Sequence, residues 1–136
     1  MKKLFFIIFL LSSTLMFSQS WETSFDTSLS KSQKENKKII LVFQGSDWCG
    51  PCIKLSKEIW STKEFIDYSQ KNYILLQADF PRKKKNALKE EQQKINNLLA
   101  EKYNPNGYFP LVVILDKNGT SVSYTHLTLP TSFEVL

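Results

Sequence analysis

The fifteen residues Lys38–Cys52, KIILVFQGSDWCGPC, decide how this chain is read. Lys38–Gln44 is a continuous apolar run rich in β-branched residues, the pattern of a strand buried on both faces. Gly45-Ser46-Asp47 breaks it, and a helix is expected from about Cys49, carrying Ile53, Leu55 and Ile59 inward. This order sets Cys49 and Cys52, the only two cysteines, at the C-terminal end of a strand, where α/β sheets form their sites. Pro51 is tolerated in a first helical turn, because its missing N–H has no intrahelical partner there. Gly50 leaves the first sulfur uncovered.

Outward from that stretch, helices and strands alternate. Upstream, Trp21, Phe25 and Leu29 stand at helical spacing, with Asp26 or Thr27 as a cap and an end near Asn36. Downstream, Ser61-Thr62 restarts a helical segment with Phe65, Ile66 and Tyr68, and Glu64 stands where a capping box with Ser61 would form. Tyr73–Asp79, YILLQAD, reads as a second strand. Asn86 to Tyr103 reads as a helix with Leu88, Ile95, Leu98 and Leu99 on one face. Asn104 to Gly107 is a turn rich in breakers, Leu111–Leu115, LVVIL, a third strand, and Asp116–Gly119, DKNG, a hairpin turn. The order predicts an α/β fold whose mixed central sheet is flanked by helices and parallel in its first half.

The chain of 136 residues is one domain at most, and 42% hydrophobic with 23% charged residues is a globular composition. The formal charge of +5 includes Lys2 and Lys3; the remainder is mildly basic and a poor argument for nucleic acid. Lys2 and Lys3 before the apolar run Leu4–Leu11 read as an export signal over residues 1–18, with cleavage near Ser18 or Ser20. An uncleaved membrane anchor is the alternative. Either places the domain, 19–121, in a periplasmic or secreted setting where disulfides persist. The basic run Pro81–Lys85, PRKKK, is read either as a solvated loop or as a patch that steers an acidic partner.

A C-x-x-C pair brings two thiols close enough for a small-ring disulfide. At a helix N-terminus, free N–H groups and the helix dipole favour the thiolate of the first cysteine, the species that attacks disulfides. The second, one turn on, resolves the mixed disulfide. Two other readings stay open: a structural disulfide, which closes too small a loop to constrain the unfolded chain much, and half of a soft-metal site, which no second C-x-x-C completes.

WCGPC after a buried strand resembles the active site of the thioredoxin family, and Phe109-Pro110 before LVVIL falls where that family places its cis-proline loop. GSDWCGPCIKL behind KSQKENKKIILVF is similar, more narrowly, to exported bacterial thioredoxin-like proteins. The resemblance spans roughly Trp21 to Gly119. It implies Cys49 as nucleophile and Cys52 as resolving thiol, Trp48, Gly50, Pro51 and Asp47 flanking them, and Phe109 and Pro110 lining a substrate groove. It also implies no cofactor or metal beyond the redox-active disulfide. The expected partners are protein disulfide substrates and an electron-donor thiol protein, soluble or membrane-bound, with the chain a monomer. CGPC matches the reducing members, so reduction is the expected direction, with oxidase or isomerase activity and a non-catalytic binding module as alternatives. Three positions depart from the family pattern: Phe43 stands where a buried Asp is usual, YILLQAD lacks the usual lysine, and Leu111 follows the proline where threonine is common. Asp47, two residues before Cys49, is a candidate proton relay.

After Gly119 the pattern changes. Val122–Thr131, VSYTHLTLPT, is the translation of GTC TCT TAT ACA CAT CTG ACG CTG CCG ACG, a string that resembles the mosaic-end adapter of transposase-based sequencing libraries. Residues 122–136 are therefore expected to be a non-native tail on a truncated gene, with the family's last strand and helix missing. His126, the only histidine, lies in that tail, which removes the base that Ser-His-Asp or Cys-His systems need.

Overall fold

The computed structural model describes residues 20–126. The expected export signal and the end of the tail lie outside them. Helix α1 (Phe25–Glu35) leads into strand β1 (Lys38–Gln44); α2 (Gly50–Leu55) continues as a π-helical turn, Ser56–Trp60, and α3 (Lys63–Asn72) enters β2 (Tyr73–Asp79). A 3-10 turn at Lys84–Asn86, helix α4 (Glu90–Tyr103), and strands β3 (Leu111–Leu115) and β4 (Ser121–His126) complete the order.

The strands form one mixed sheet, β2-β1-β3-β4. β1 is parallel to β2, from Lys38 opposite Tyr73 to Gln44 opposite Asp79, and antiparallel to β3, from Ile39 opposite Leu115 to Phe43 opposite Leu111. The apolar run of β1 has the reason the sequence suggested. Ile39, Leu41 and Phe43 enter one core with Leu76, Ala78, Leu99 and Val113, while Ile40 and Val42 enter the other with Leu75, so both faces of the strand are covered. Beyond β2, Glu22 extends the sheet edge, its N–H donating to Leu75 O (2.8 Å) and its carbonyl accepting from Gln77 N (3.0 Å).

Local chemistry shifts several expected boundaries. The cap of α1 is Ser24, whose hydroxyl accepts from Thr27 N, rather than Asp26 or Thr27; the helix stops at Asn36 in the left-handed conformation (φ 52°). At α3 the cap is Thr62, accepting from Phe65 N, so no capping box starts at Ser61; the Ser61 hydroxyl donates back to Ser56 O at the end of the π turn. Helix α4 begins at Glu90, because residues 84–86 close a separate 3-10 turn. Ile53, expected inward, and Leu98, expected on the apolar face of its helix, are exposed. In α2 the buried stripe is Cys52 and Leu55, three apart, and Ile53 falls one residue off it.

A fourth strand occupies the sheet edge where the last strand was expected to be missing. Ser121–His126 pairs antiparallel with β3, from Leu111 opposite His126, with a register shift between Ile114 and Leu115. A ladder of main-chain hydrogen bonds asks little of side-chain identity, and the preceding hairpin delivers the chain to the open edge of β3. Asp116 Oδ1 accepts from Asn118 N and Thr120 N, and Gly119 turns at φ 76° with its carbonyl accepting from Tyr103 Oη (2.6 Å). The helix expected to be missing concerns positions beyond His126, outside the described residues.

Candidate redox site

β1 ends at Gln44 and the chain turns at once: Cys49 N donates to Gly45 O (2.9 Å), which folds residues 45–49 back over the sheet end. Cys49 is then the N-cap of α2, and its Sγ accepts from Cys52 N at 3.2 Å. The two cysteines form a disulfide, with Cα atoms 5.2 Å apart. Gly50 and Pro51 fill the first turn and are exposed, and a Cβ at Gly50 would meet nothing within 4 Å. The expected contrast in exposure between the sulfurs is slight, since Cys49 is 4% and Cys52 2% exposed. The N–H that reaches Cys49 Sγ favours negative charge on that sulfur once the disulfide opens, and no equivalent bond reaches Cys52 among the described residues.

Trp48 closes one side. Its Nε1 donates to Phe80 O (2.7 Å), and its ring meets Phe109 edge-on at 5.5 Å. Phe80 also meets Phe109 at 5.5 Å, and Phe80 N donates to Gln44 O (2.9 Å). Gly45 makes this possible: a Cβ there would fall 2.3 Å from Trp48 Cε2. Phe109-Pro110 is a cis peptide, and Pro110 is fully buried. Because β3 runs antiparallel to β1, the residues before Leu111 arrive beside the β1 end that carries the disulfide. Buried Asn104 holds this approach, donating to Tyr108 O (2.8 Å) and accepting from Tyr108 N (2.9 Å). Trp48, Phe80, Pro81, Arg82, Gln93, Gly107 and Phe109 line a groove of about 420 Å³ at this place.

Asp47, the candidate proton relay, has its carboxylate engaged by the loop after β2. Its carboxylate accepts from Arg82 N (2.9 Å), Lys83 N (3.0 Å) and Asn86 Nδ2 (2.9 Å). The Arg82 N–H, then the Asn86 amide, hold its pKa below the ordinary carboxylate value. Asp79 accepts from Ser46 N (2.8 Å) and Oγ (2.6 Å), fixing the turn before the disulfide. Phe43, where the family's buried Asp would stand, is fully buried core. Sequence reading missed Gly45, Phe80, Asp79, Asn104 and Arg82 as parts of the site. Only the run of four cations, Arg82 to Lys85, carried a signal there. Among the described residues no group of three or more His, Cys, Asp or Glu is placed to hold a metal, and no helix is long and apolar enough to cross a membrane.

A four-stranded mixed sheet with a Cys-Gly-Pro-Cys disulfide at the head of a helix and a cis-proline turn beside it defines the thioredoxin-fold class. The family model described as "Thioredoxin-like" matches residues 20–117, and the chain belongs to that family. It is 36% identical over 103 residues to the disulfide bond reductase DsbH of Chlamydia pneumoniae, covering 76% of this chain and 60% of that protein. It is 32% identical over 60 residues to the thioredoxin-related protein DsbJ of the same organism, covering 44% of this chain and 17% of that one. The chain thus spans less than two thirds of these relatives' lengths. The solved structure of a DsbH oxidoreductase superposes with a TM-score of 0.73 at 29% identity, over 91% of this chain and 88% of that one. A disulphide isomerase from Xylella fastidiosa shares the fold, with a TM-score of 0.59 at 18% identity over 85% and 82%.

Proposed function

We propose that this chain is an exported thiol-disulfide oxidoreductase that reduces protein disulfides. The observation that carries the reading is the Cys49–Cys52 disulfide with Cys52 N–H on Cys49 Sγ at the head of α2. In the reduced protein the Cys49 thiolate attacks one sulfur of a substrate disulfide. A Cys49–substrate bond forms, the substrate S–S bond breaks, and the departing sulfur takes a proton. The Cys52 thiol then loses its proton and attacks Cys49 Sγ, which re-forms the Cys49–Cys52 disulfide and releases the second substrate thiolate. Two electrons have passed to the substrate, and an external donor dithiol, soluble or membrane-bound, restores the pair. Trp48 and Phe109 form the wall along which the substrate chain lies, with the buried cis-Pro110 shaping the turn behind it, and the protein acts as a monomer without a cofactor.

Several supports bear on this. CGPC is the dipeptide setting of the reducing family members, and the Chlamydia pneumoniae relative is named a disulfide bond reductase. Lys2, Lys3 and the run Leu4–Leu11 support export through a signal at residues 1–18. Residues from about Val122 are assigned to the adapter-like sequence and 19–121 to the domain; amplification of the locus from source DNA tests this, and a native reading frame continuing through VSYTHLTLPT would refute it. The function is tested with Cys49→Ser and Cys52→Ser. The first is expected to lose disulfide reduction, and the second to accumulate a mixed disulfide with substrate. Reduction at the wild-type rate by Cys49→Ser ends the mechanism.

A further inference from the structure

The loop after β2 is concentrated in charge and docked against the redox site. From Phe80 to Lys89 the sequence carries five cations, Arg82, Lys83, Lys84, Lys85 and Lys89, and no carboxylate. These five are exposed, and none has a salt bridge among the described residues. Glu90 and Glu91, next in sequence, belong to the first turn of α4, where the helix dipole favours them, and neither pairs with the loop. The nearby carboxylates are occupied: Asp79 holds Ser46, and Asp47 accepts from the Arg82 and Lys83 main chain and the Asn86 amide, with the Lys83 charge adding to its hold.

The loop is therefore tethered from Asp47, two residues before Cys49. The guanidinium of Arg82 lies 3.6 Å from the centre of the Trp48 ring, on the groove shared with Phe109. The loop thus borders the groove next to the residue that precedes Cys49.

Resting on the redox reading above, we propose that Arg82–Lys85 and Lys89 form a docking surface that selects protein substrates with acidic residues flanking the target disulfide. The apolar wall of Trp48 and Phe109 accepts the chain near the disulfide, and the cations attract the carboxylates beside it. Charges at the rim of an interface act chiefly on association rate and salt dependence.

The test compares two disulfide-bridged peptides of equal length, one flanked by Asp and Glu and the other by Ser and Asn. They are reduced by the full chain and by a Lys83→Ser/Lys84→Ser/Lys85→Ser variant, at low and high salt. The expected result is a kcat/KM about tenfold higher for the acidic peptide at low salt, a preference that shrinks with salt and approaches one in the variant. Equal kcat/KM for both peptides in the wild type overturns the docking surface and leaves the redox reading standing. Failure to reduce either peptide overturns both. Equal peptide rates together with lysine-dependent binding to anionic phospholipid vesicles would give the loop to a membrane surface instead.

Discussion

The disulfide is placed by residues that carry no sulfur. Gly45 leaves the space that the Trp48 indole fills, so Gly45→Ala is expected to push the ring off Phe80 and Phe109. The overlap costs about 1–3 kcal/mol of stability, and the displaced indole shows as a red-shifted fluorescence component; unchanged emission and melting would contradict the placement. Asp47 anchors the basic loop. Its pKa is lowered in the folded protein, so its contribution is complete above the ordinary carboxylate range and lost as pH falls through the lowered value. Fluorescence of Trp48, against which Arg82 stacks, is expected to titrate below that range, and Asp47→Asn is expected to abolish this titration. A transition above the ordinary carboxylate value would contradict the assignment.

At the scale of elements, the sequence revealed periodicity better than it revealed ends. The continuous apolar run of Lys38–Gln44, buried from Ile39 to Phe43, and the apolar character of Tyr73–Asp79 and Leu111–Leu115 were legible because packing requires them. Caps were less so, since Ser24 beside Asp26 and Thr62 beside Ser61 offer equivalent oxygen acceptors, and only the entering backbone chooses between them. Thr62→Ala is expected to cost about 1 kcal/mol of stability without moving the reduction potential, as a denaturant melt and a redox titration would show. Asn104, read as a breaker, is the lock on the cis-proline turn. Asn104→Ala removes both side-chain bonds to the Tyr108 main chain and is expected to cost about 1–3 kcal/mol, with slower substrate reduction; an unaffected rate would deny it the positioning role. β4 was illegible because its pairing is main-chain and its residues lack the continuous apolar run of the inner strands.

Across the whole molecule, β1 joins stability to chemistry. Its two faces meet the two cores, and its C-terminal end delivers Gly45 to Cys49. Leu41→Ala, at a site without solvent exposure, is expected to cost about 2–5 kcal/mol, read by denaturant unfolding. The C-x-x-C chemistry and the proline were legible as a pair of motifs. The tethering of the 80–89 loop was not, because its bonds to Asp47 and Trp48 join residues more than thirty positions apart. The same distance hid the reason for Phe43, whose place among Leu41, Leu76 and Val113 makes it packing rather than a proton carrier. The central claim is reductive exchange through Cys49 and Cys52, and the reduction potential of that pair against a glutathione or dithiothreitol series tests it most directly. A value near about −270 mV, that of thioredoxin, is predicted; one near about −120 mV, that of a strong oxidant, or a pair that never equilibrates with the buffer, would contradict it.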